Sequence, residues 1–282
     1  MTEVIKPGFY TTIQDLGRLG YGAHGVPVSG SMDMYSAKFA NLLLGNTEEA
    51  AVLEITIIGP TLKFLSPTTI AIVGAPMRPK LNGIAINNNQ PLALKSNDIL
   101  SFGPSVNGAR CYIAIKGGFN TPLVLGSRSF YEGITEFPKI NKGEIIPYLS
   151  IDKELAKKNA SLKYDETVLT TKFLNVSFGP EYHLLSRSQQ DEIWSSQFVV
   201  SKFNNRMAYQ LENLIDNDAK NIITAPVLPG TVQLTPSGQL IVLMRDAQTT
   251  GGYPRILQLT DKSINALSQK TVGNYIKFRR IA

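Results

Sequence analysis

Two stretches of this chain concentrate side chains able to do chemistry. The first, Tyr10 to Asp33, reads "YTTIQDLGRLGYGAHGVPVSGSMD" and offers Gln14, Asp15, Arg18, Ser29, Ser31 and Asp33 among five glycines. The second, Arg245 to Arg255, reads "RDAQTTGGYPR" and offers Arg245, Asp246, Gln248, Thr249, Thr250 and the amides of Gly251 and Gly252. Glycines permit positive φ and close backbone approach, so consecutive N–H groups can converge on an oxyanion or carboxylate. Gln248 can read an amide with both donor and acceptor, and Asp246 can accept from an N–H or orient a proton transfer. From spacing alone the second stretch reads equally as a hairpin with Gly251-Gly252 at its turn, and the first as a long ordered loop before a capped helix.

No familiar nucleophile system accompanies them. His24 and His183 stand in unrelated contexts, near no G-x-S-x-G elbow and at no metal-ligand spacing, so neither a Ser-His-Asp triad nor a metal site is expected. "GNTEEA" and "GPSVNGAR" lack the G-x-x-x-x-G-K-[ST] pattern, so a standard phosphate loop is not expected either.

The segments that must position these groups read mainly as strands. Short β-branched or apolar runs bounded by Gly, Pro, Asn or Ser recur at 53–59, 68–75, 83–88, 98–103, 109–118, 173–179, 231–235, 239–245, 255–260 and 274–278. Runs this short and closely spaced favour barrels or sandwiches. Three helices are expected. In "SGSMDMYSAKFANLLLGN", Ser31 caps a helix whose apolar positions Met34, Ala37, Phe39, Ala40, Leu43 and Leu44 recur at helical spacing, with Gly45-Asn46 ending it. "DKELAKKNA" near 152–160 and "DKSINALSQ" at 261–269, with Asp261 as cap, are the others. The polar region from about 150 to 170 is the best boundary, giving halves 1–165 and 166–282 that are free to interleave. "TIQDLG" at 12–17 weakly echoes "TVQLTPSG" at 231–238, which suggests related halves.

Hydrophobic residues at 43% and charged residues at 18% fit a globular chain with a real core and exclude whole-chain disorder. Lys and Arg number 28 against 22 acids, giving +6, but they are scattered, and "KFRR" at 277–280 is the one dense cluster. No basic stripe with interleaved aromatics points to nucleic acid, and the excess suits an anionic small molecule, an acidic partner protein or simply a solvated surface. The single cysteine, Cys111, sits in a strand-like run and reads as a buried inert thiol. No leader-like segment or membrane-length apolar run is visible, so a cytoplasmic location with no membrane partner is expected.

Taken together, "GFYTTIQDLGRLGYGAHGVPVSGSMD" and its continuation to Phe64, "GARCYIAIKGGFNTPLVLGSRS", "NNRMAYQLE" and "PVLPGTVQLTPSGQLIVLMRDAQTTGGYPRI" resemble, in order, the family of allophanate hydrolase subunit 2, also called the KipA or 5-oxoprolinase C-subunit family. The resemblance covers nearly the whole chain. Its D-x-Q-T-T-G-G-Y-P motif falls on Asp246, Gln248, Thr249, Thr250, Gly251, Gly252, Tyr253 and Pro254; T-T-x-Q-D-x-G-R falls on Thr11, Thr12, Gln14, Asp15, Gly17 and Arg18; S-G-x-M-D falls on Ser29, Gly30, Met32 and Asp33. The usual S-D-R-M-G-Y-R-L reads "NNRMAYQL", which keeps Arg206 and Tyr209 but has Asn205, Ala208 and Gln210 at altered positions. Phe130 ends the usual G-S-R-S-T, and Ala247 occupies a position that is often basic.

The resemblance implies a mainly β chain of cyclophilin-like barrel architecture, in two related barrel subdomains with a few short helices. It implies one component of an ATP-dependent 5-oxoprolinase, inactive alone, working with a KipI-like B-subunit plus a LamB/YcsF-like A-subunit to open the lactam of 5-oxoproline to glutamate. ATP would be held by the complex at an unassigned site. Two alternatives stay open: the carboxyltransferase part of a urea or amide carboxylase, using carboxybiotin, and a KipA-type regulator that antagonises a KipI-like kinase inhibitor. The chain's length and the lack of an A-M-K-M biotinylation motif fit the stand-alone component better. In this reading Asp246, Gln248 and Asp15 are the catalytic candidates. Thr249, Thr250, Gly251, Gly252, Tyr253, Gln14, Arg18, Ser29, Asp33 and Arg206 are the substrate-binding candidates. An amide-type carbonyl must be held while charge develops on its oxygen, which a dense set of donors suits.

Overall fold

Strand pairing organises the protein, seen in a computed structural model that describes residues 1–149, 162–217 and 221–281. The helix expected at 152–160 lies outside the described residues. The chain divides into two units: Met1–Arg18 with Ser29–Leu169, and Leu19–Val28 with Thr170–Ala282. The segment 19–28 therefore belongs to the second unit although its neighbours on both sides belong to the first.

In the first unit two antiparallel sheets share one core. The six-stranded sheet has the order Ile145–Ile146, Thr2–Lys6, Thr61–Phe64, Ile99–Ser101, Lys80–Leu81, Ile84–Ala85; the five-stranded sheet has the order Tyr10–Gln14, Val52–Thr56, Arg110–Ile115, Thr68–Gly74, Pro91–Leu94. Val4, Leu62, Phe64 and Leu100 of the first sheet pack with Ile13, Leu53, Ile55, Ile70 and Ile113 of the second. Successive residues of a strand face opposite ways, so Tyr112 and Ala114 point from the other face and pack with Ala37, Phe39, Ala40 and Leu44 of the helix Met34–Leu44. Cover on both faces explains why every residue of Arg110–Ile115 is buried, Cys111 included, whose thiol pKa burial pushes up to about 12. The helix ends at Gly45 in the left-handed region, φ 63°, as expected, but its cap is Asp33 rather than Ser31. The Asp33 carboxylate accepts from the Ser36 amide at 3.0 Å, while the buried Ser31 hydroxyl has no hydrogen-bond partner among the described residues.

In the second unit seven strands close a barrel in the order Phe173–Phe178, Arg255–Leu259, Thr231–Leu234, Gln239–Leu243, Ala208–Leu214, Phe198–Asn204, Tyr275–Arg280. The last strand returns to the first by the barrel's parallel pairing, Phe173 opposite Lys277. The helix Asp261–Ser268 is capped by Thr260, whose hydroxyl accepts from Ser263, and Asp261 occupies the first turn instead of the cap. A nine-residue helix not expected from the sequence, Arg187–Ser195, starts with a reciprocal capping box between Ser186 and Gln189.

Candidate functional site

The sheet order decides what "RDAQTTGGYPR" is. Gln239–Leu243 and Arg255–Leu259 do not pair with each other, because Thr231–Leu234 lies between them and pairs with both. The stretch is a crossover that passes the end of the middle strand, and the hairpin alternative falls. Nor do its glycines supply left-handed turns: neither Gly251 nor Gly252 has positive φ. Gly251 is needed for close approach instead, since a Cβ there would lie 2.5 Å from Gln233 Nε2. Thr250–Gly251 pairs with Ala225–Pro226, and the carbonyls of Thr249 and Gly252 accept from the amides of Val227 and Ile222, each at 3.0 Å.

Both ends of the crossover are pinned by arginine–carboxylate forks. Arg206 Nε and Nη2 donate to Asp246 Oδ2 and Oδ1 at 2.7 and 2.9 Å, with both side chains buried. Arg255 Nε and Nη2 donate to Glu181 Oε2 and Oε1 at 2.9 and 2.7 Å, and its Nη1 donates to the Pro226 carbonyl. The Arg255 hydrogen bonds hold the Glu181 carboxyl below the usual carboxylate range.

Between these pins the loop lines a cleft of about 310 Å³ within the second unit. Gly22, Ala23, Val26, Pro27 and Val28 line it from the 19–28 segment, and Pro226, Val227, Leu228 and Pro229 from the approach to the middle strand. Arg245, Ala247, Gln248, Thr249 and Thr250 complete it. Ala247 is buried in a small apolar cluster with Ala208, Val227 and Leu243, so the two alanines that depart from the family's usual residues meet there. An apolar recess with one guanidinium, one amide and two hydroxyls suits a small ring or planar amide bearing a negative charge.

Gln248, Thr249 and Thr250 thus line the cleft, whereas Gly251, Gly252 and Tyr253 are not among its lining residues. Asp246 does not line it either, and both its oxygens are held by Arg206. Arg245, named with the loop's polar groups but not among the catalytic or substrate-binding candidates, does line it. The apolar wall at 22–28 was hidden among glycines, with no periodicity to mark it.

The candidates of the Tyr10–Asp33 stretch assemble in the first unit around Asp15. Its Oδ1 accepts from the Gly17 amide at 2.8 Å and from the Ser127 and Ser129 hydroxyls at 2.6 and 2.7 Å, and its Oδ2 accepts from the Arg128 amide at 2.6 Å. The sequence signal for these partners was "GSRS" at 126–129. Arg18, fully buried, donates to the Ser29 hydroxyl at 3.2 Å and to the Ser129 carbonyl. Ser29 holds a left-handed φ of 60° before Gly30 at 86°. Gln14 Nε2 donates to Thr12 Oγ1 and the Phe130 carbonyl, while its buried Oε1 has no partner among the described residues. Asp33 is taken up by its helix: it accepts from Ser36, whose hydroxyl also meets Tyr164, and its amide donates to the Tyr112 phenol. Burial, with the Glu54 and Asp33 carboxylates, pushes the Tyr112 phenol well up, so it stays a neutral donor to Glu54 at 2.9 Å. Among the described residues no group of three or more His, Cys, Asp or Glu is placed to hold a metal, and no helix is long and apolar enough to cross a membrane.

Fold and site define a mainly β protein with one closed seven-stranded barrel and a small, largely apolar cleft lined by a crossover that two ion pairs pin. The chain belongs to the carboxyltransferase domain family, subdomain A and B, whose match spans residues 24–280. It is 35% identical to the 5-oxoprolinase C-subunit of Escherichia coli (strain K12) over 99% of this chain and 90% of that one. Against the 5-oxoprolinase C-subunit of Haemophilus influenzae the identity is 28%, over 100% of this chain and 92% of that one. Among solved structures it is similar to the K. lactis urea amidolyase, with TM-score 0.87 and 28% identity, covering 100% of this chain but 19% of that one. It therefore spans about a fifth of the urea amidolyase's length.

Proposed function

We propose that this protein is the C-subunit of an ATP-dependent 5-oxoprolinase that opens 5-oxoproline to glutamate with a KipI-like B-subunit plus a LamB/YcsF-like A-subunit. The observation that carries the reading is the near end-to-end similarity to the Escherichia coli 5-oxoprolinase C-subunit, 99% of this chain against 90% of the relative. The cleft suits the substrate. Apolar walls at Val26, Pro27, Val227 and Leu228 receive the ring carbons of a five-membered lactam, and Arg245, whose guanidinium also pairs with Asp261 at 3.4 Å, is the lining cation that meets its carboxylate. Gln248 and the hydroxyls of Thr249 and Thr250 hold the lactam amide and steady the charge that develops on its oxygen as water adds to the carbonyl carbon and the C–N bond breaks. Asp246 and Asp15, with their oxygens filled, act as positioning residues that set the crossover and the 15–33 segment. We read both units as variants of a cyclophilin-like barrel, and the protein as working in the cytoplasm.

ATP supplies the driving force when bound, but the cleft does not fit it: one guanidinium in a largely apolar recess does not match a triphosphate. The nucleotide is therefore placed elsewhere in the complex, outside this cleft. The likeness to urea amidolyase favours a second reading, transfer of a carboxyl group from carboxybiotin to an amide at the same cleft. Assaying this chain with both partners decides between them. Glutamate release that needs ATP but neither biotin nor bicarbonate supports the hydrolase, and a strict need for carboxybiotin supports the transferase.

A further inference from the structure

The wall of the second unit's barrel carries cations set against aromatic rings. Tyr275, Lys277 and Arg279 alternate along Tyr275–Arg280 with the buried Ile276 and Phe278, so they face outward. Parallel register places Phe173 beside Lys277 and Asn175 beside Arg279. Lys172 Nζ lies 4.3 Å from the Tyr275 ring centroid, and the Arg279 guanidinium carbon lies 4.2 Å from that of Phe173. At the strand end Arg280 lies 4.3 Å from the Phe178 centroid. Phe173 is 47% and Tyr275 42% exposed, large values for aromatic side chains on a strand. Among the described residues no carboxylate forms an ion pair with Lys172, Lys277, Arg279 or Arg280. Burial lowers the Lys270 pKa to about 8, with a smaller contribution from the Lys172 charge.

We propose that this wall docks an acidic surface of a partner protein, whose carboxylates meet Lys172, Lys277 and Arg279 and whose apolar atoms cover the exposed rims of Phe173 and Tyr275. Aromatic and arginine side chains at the centre of a patch are the groups that dominate protein interfaces. Strand addition is excluded as the mode, because Phe173–Phe178 and Tyr275–Arg280 are each paired on both sides. A second copy docking through the same wall is disfavoured by like charge, since it would set the same cations against themselves. Nucleic acid is disfavoured because the ring faces that bases would stack on are already covered by the chain's own cations. The inference uses none of the cleft's residues and stands whether or not the cleft binds a lactam.

The test titrates the full chain with a poly-L-glutamate peptide and, separately, with a single-stranded oligonucleotide of equal charge. Lys277→Glu/Arg279→Glu is compared with a control of equal charge change on exposed lysines of the other unit, Lys80→Glu/Lys95→Glu. The milder Lys277→Ser/Arg279→Ser pair covers the case in which charge reversal disturbs folding, with thermal unfolding as the check. The expected result is salt-sensitive binding of poly-glutamate that weakens roughly tenfold or more in the wall variants and about twofold or less in the control. The proposal is overturned by no binding, by equal weakening in wall and control variants, by tighter binding of the oligonucleotide through the same residues, or by self-association of the wild type that the wall variants abolish.

Discussion

Arg206 and Asp246 form a buried fork, Nε to Oδ2 at 2.7 Å and Nη2 to Oδ1 at 2.9 Å, and the Asp246 amide donates back to the Arg206 carbonyl at 2.9 Å. The pair ties the first turn of the cleft-lining crossover to the strand that begins at Ala208. Removing either partner leaves the other charge buried and unpaired, at a cost of about 3–5 kcal/mol. Arg206→Ala and Asp246→Ala are each expected to lower the thermal unfolding midpoint strongly, with the double variant losing less than the sum. A double-mutant cycle by thermal or denaturant unfolding checks this.

Gln248 lies in the same loop but is exposed, and its side chain makes no hydrogen bond with the described residues. Gln248→Ala should leave stability within about 0.5 kcal/mol of wild type, while kcat/KM of the assembled complex falls by about 10²-fold. Parallel unfolding and turnover measurements separate this pattern from that of Asp246→Ala, which loses both together.

Gly251 is glycine because of Gln233. A methyl group at 251 would meet Gln233 Nε2 at 2.5 Å, so Gly251→Ala pushes the crossover outward. The obstructing atom ends a flexible side chain, and the prediction is a moderate loss of ligand affinity that Gln233→Ala restores. Calorimetric titration of the single and double variants with 5-oxoproline reads this, and equal losses in both would rule out the steric account.

The fork at the other end of the crossover gives a pH dependence. Because Arg255 lowers the Glu181 pKa in the folded protein, the ion pair contributes its full stability above the unfolded carboxylate's pKa. That contribution is lost as pH falls through that value toward the folded one. Wild type should therefore be more stable than Glu181→Gln at neutral pH, with the gap closing under acid, as followed by urea unfolding across pH.

Much of the fold was legible because buried strands such as Thr68–Gly74 and Arg110–Ile115 are continuous β-branched and apolar runs. Phe198–Asn204 and Ala208–Leu214 were missed because their register shifts, between Val200 and Asn204 and between Gln210 and Leu214, break the two-residue alternation that marks a strand. The helix Arg187–Ser195 announced itself by Ser186 and Gln189, but Ile193 is the one apolar side chain it buries, too little for a periodic stripe. In the site, the crossover's polar residues were visible, yet what each one touches was not. Arg206 and Asp246 meet because Ala208 pairs with Leu243, and a register read from side-chain pattern alone does not fix that pairing to the residue.

The most direct test combines this chain with its KipI-like and LamB/YcsF-like partners and follows glutamate release and ATP hydrolysis with 5-oxoproline as substrate. The account predicts coupled turnover that requires all three proteins and drops by about 10²-fold when this chain carries Gln248→Ala. Turnover unaffected by omitting this chain, or none with all three present, would contradict it.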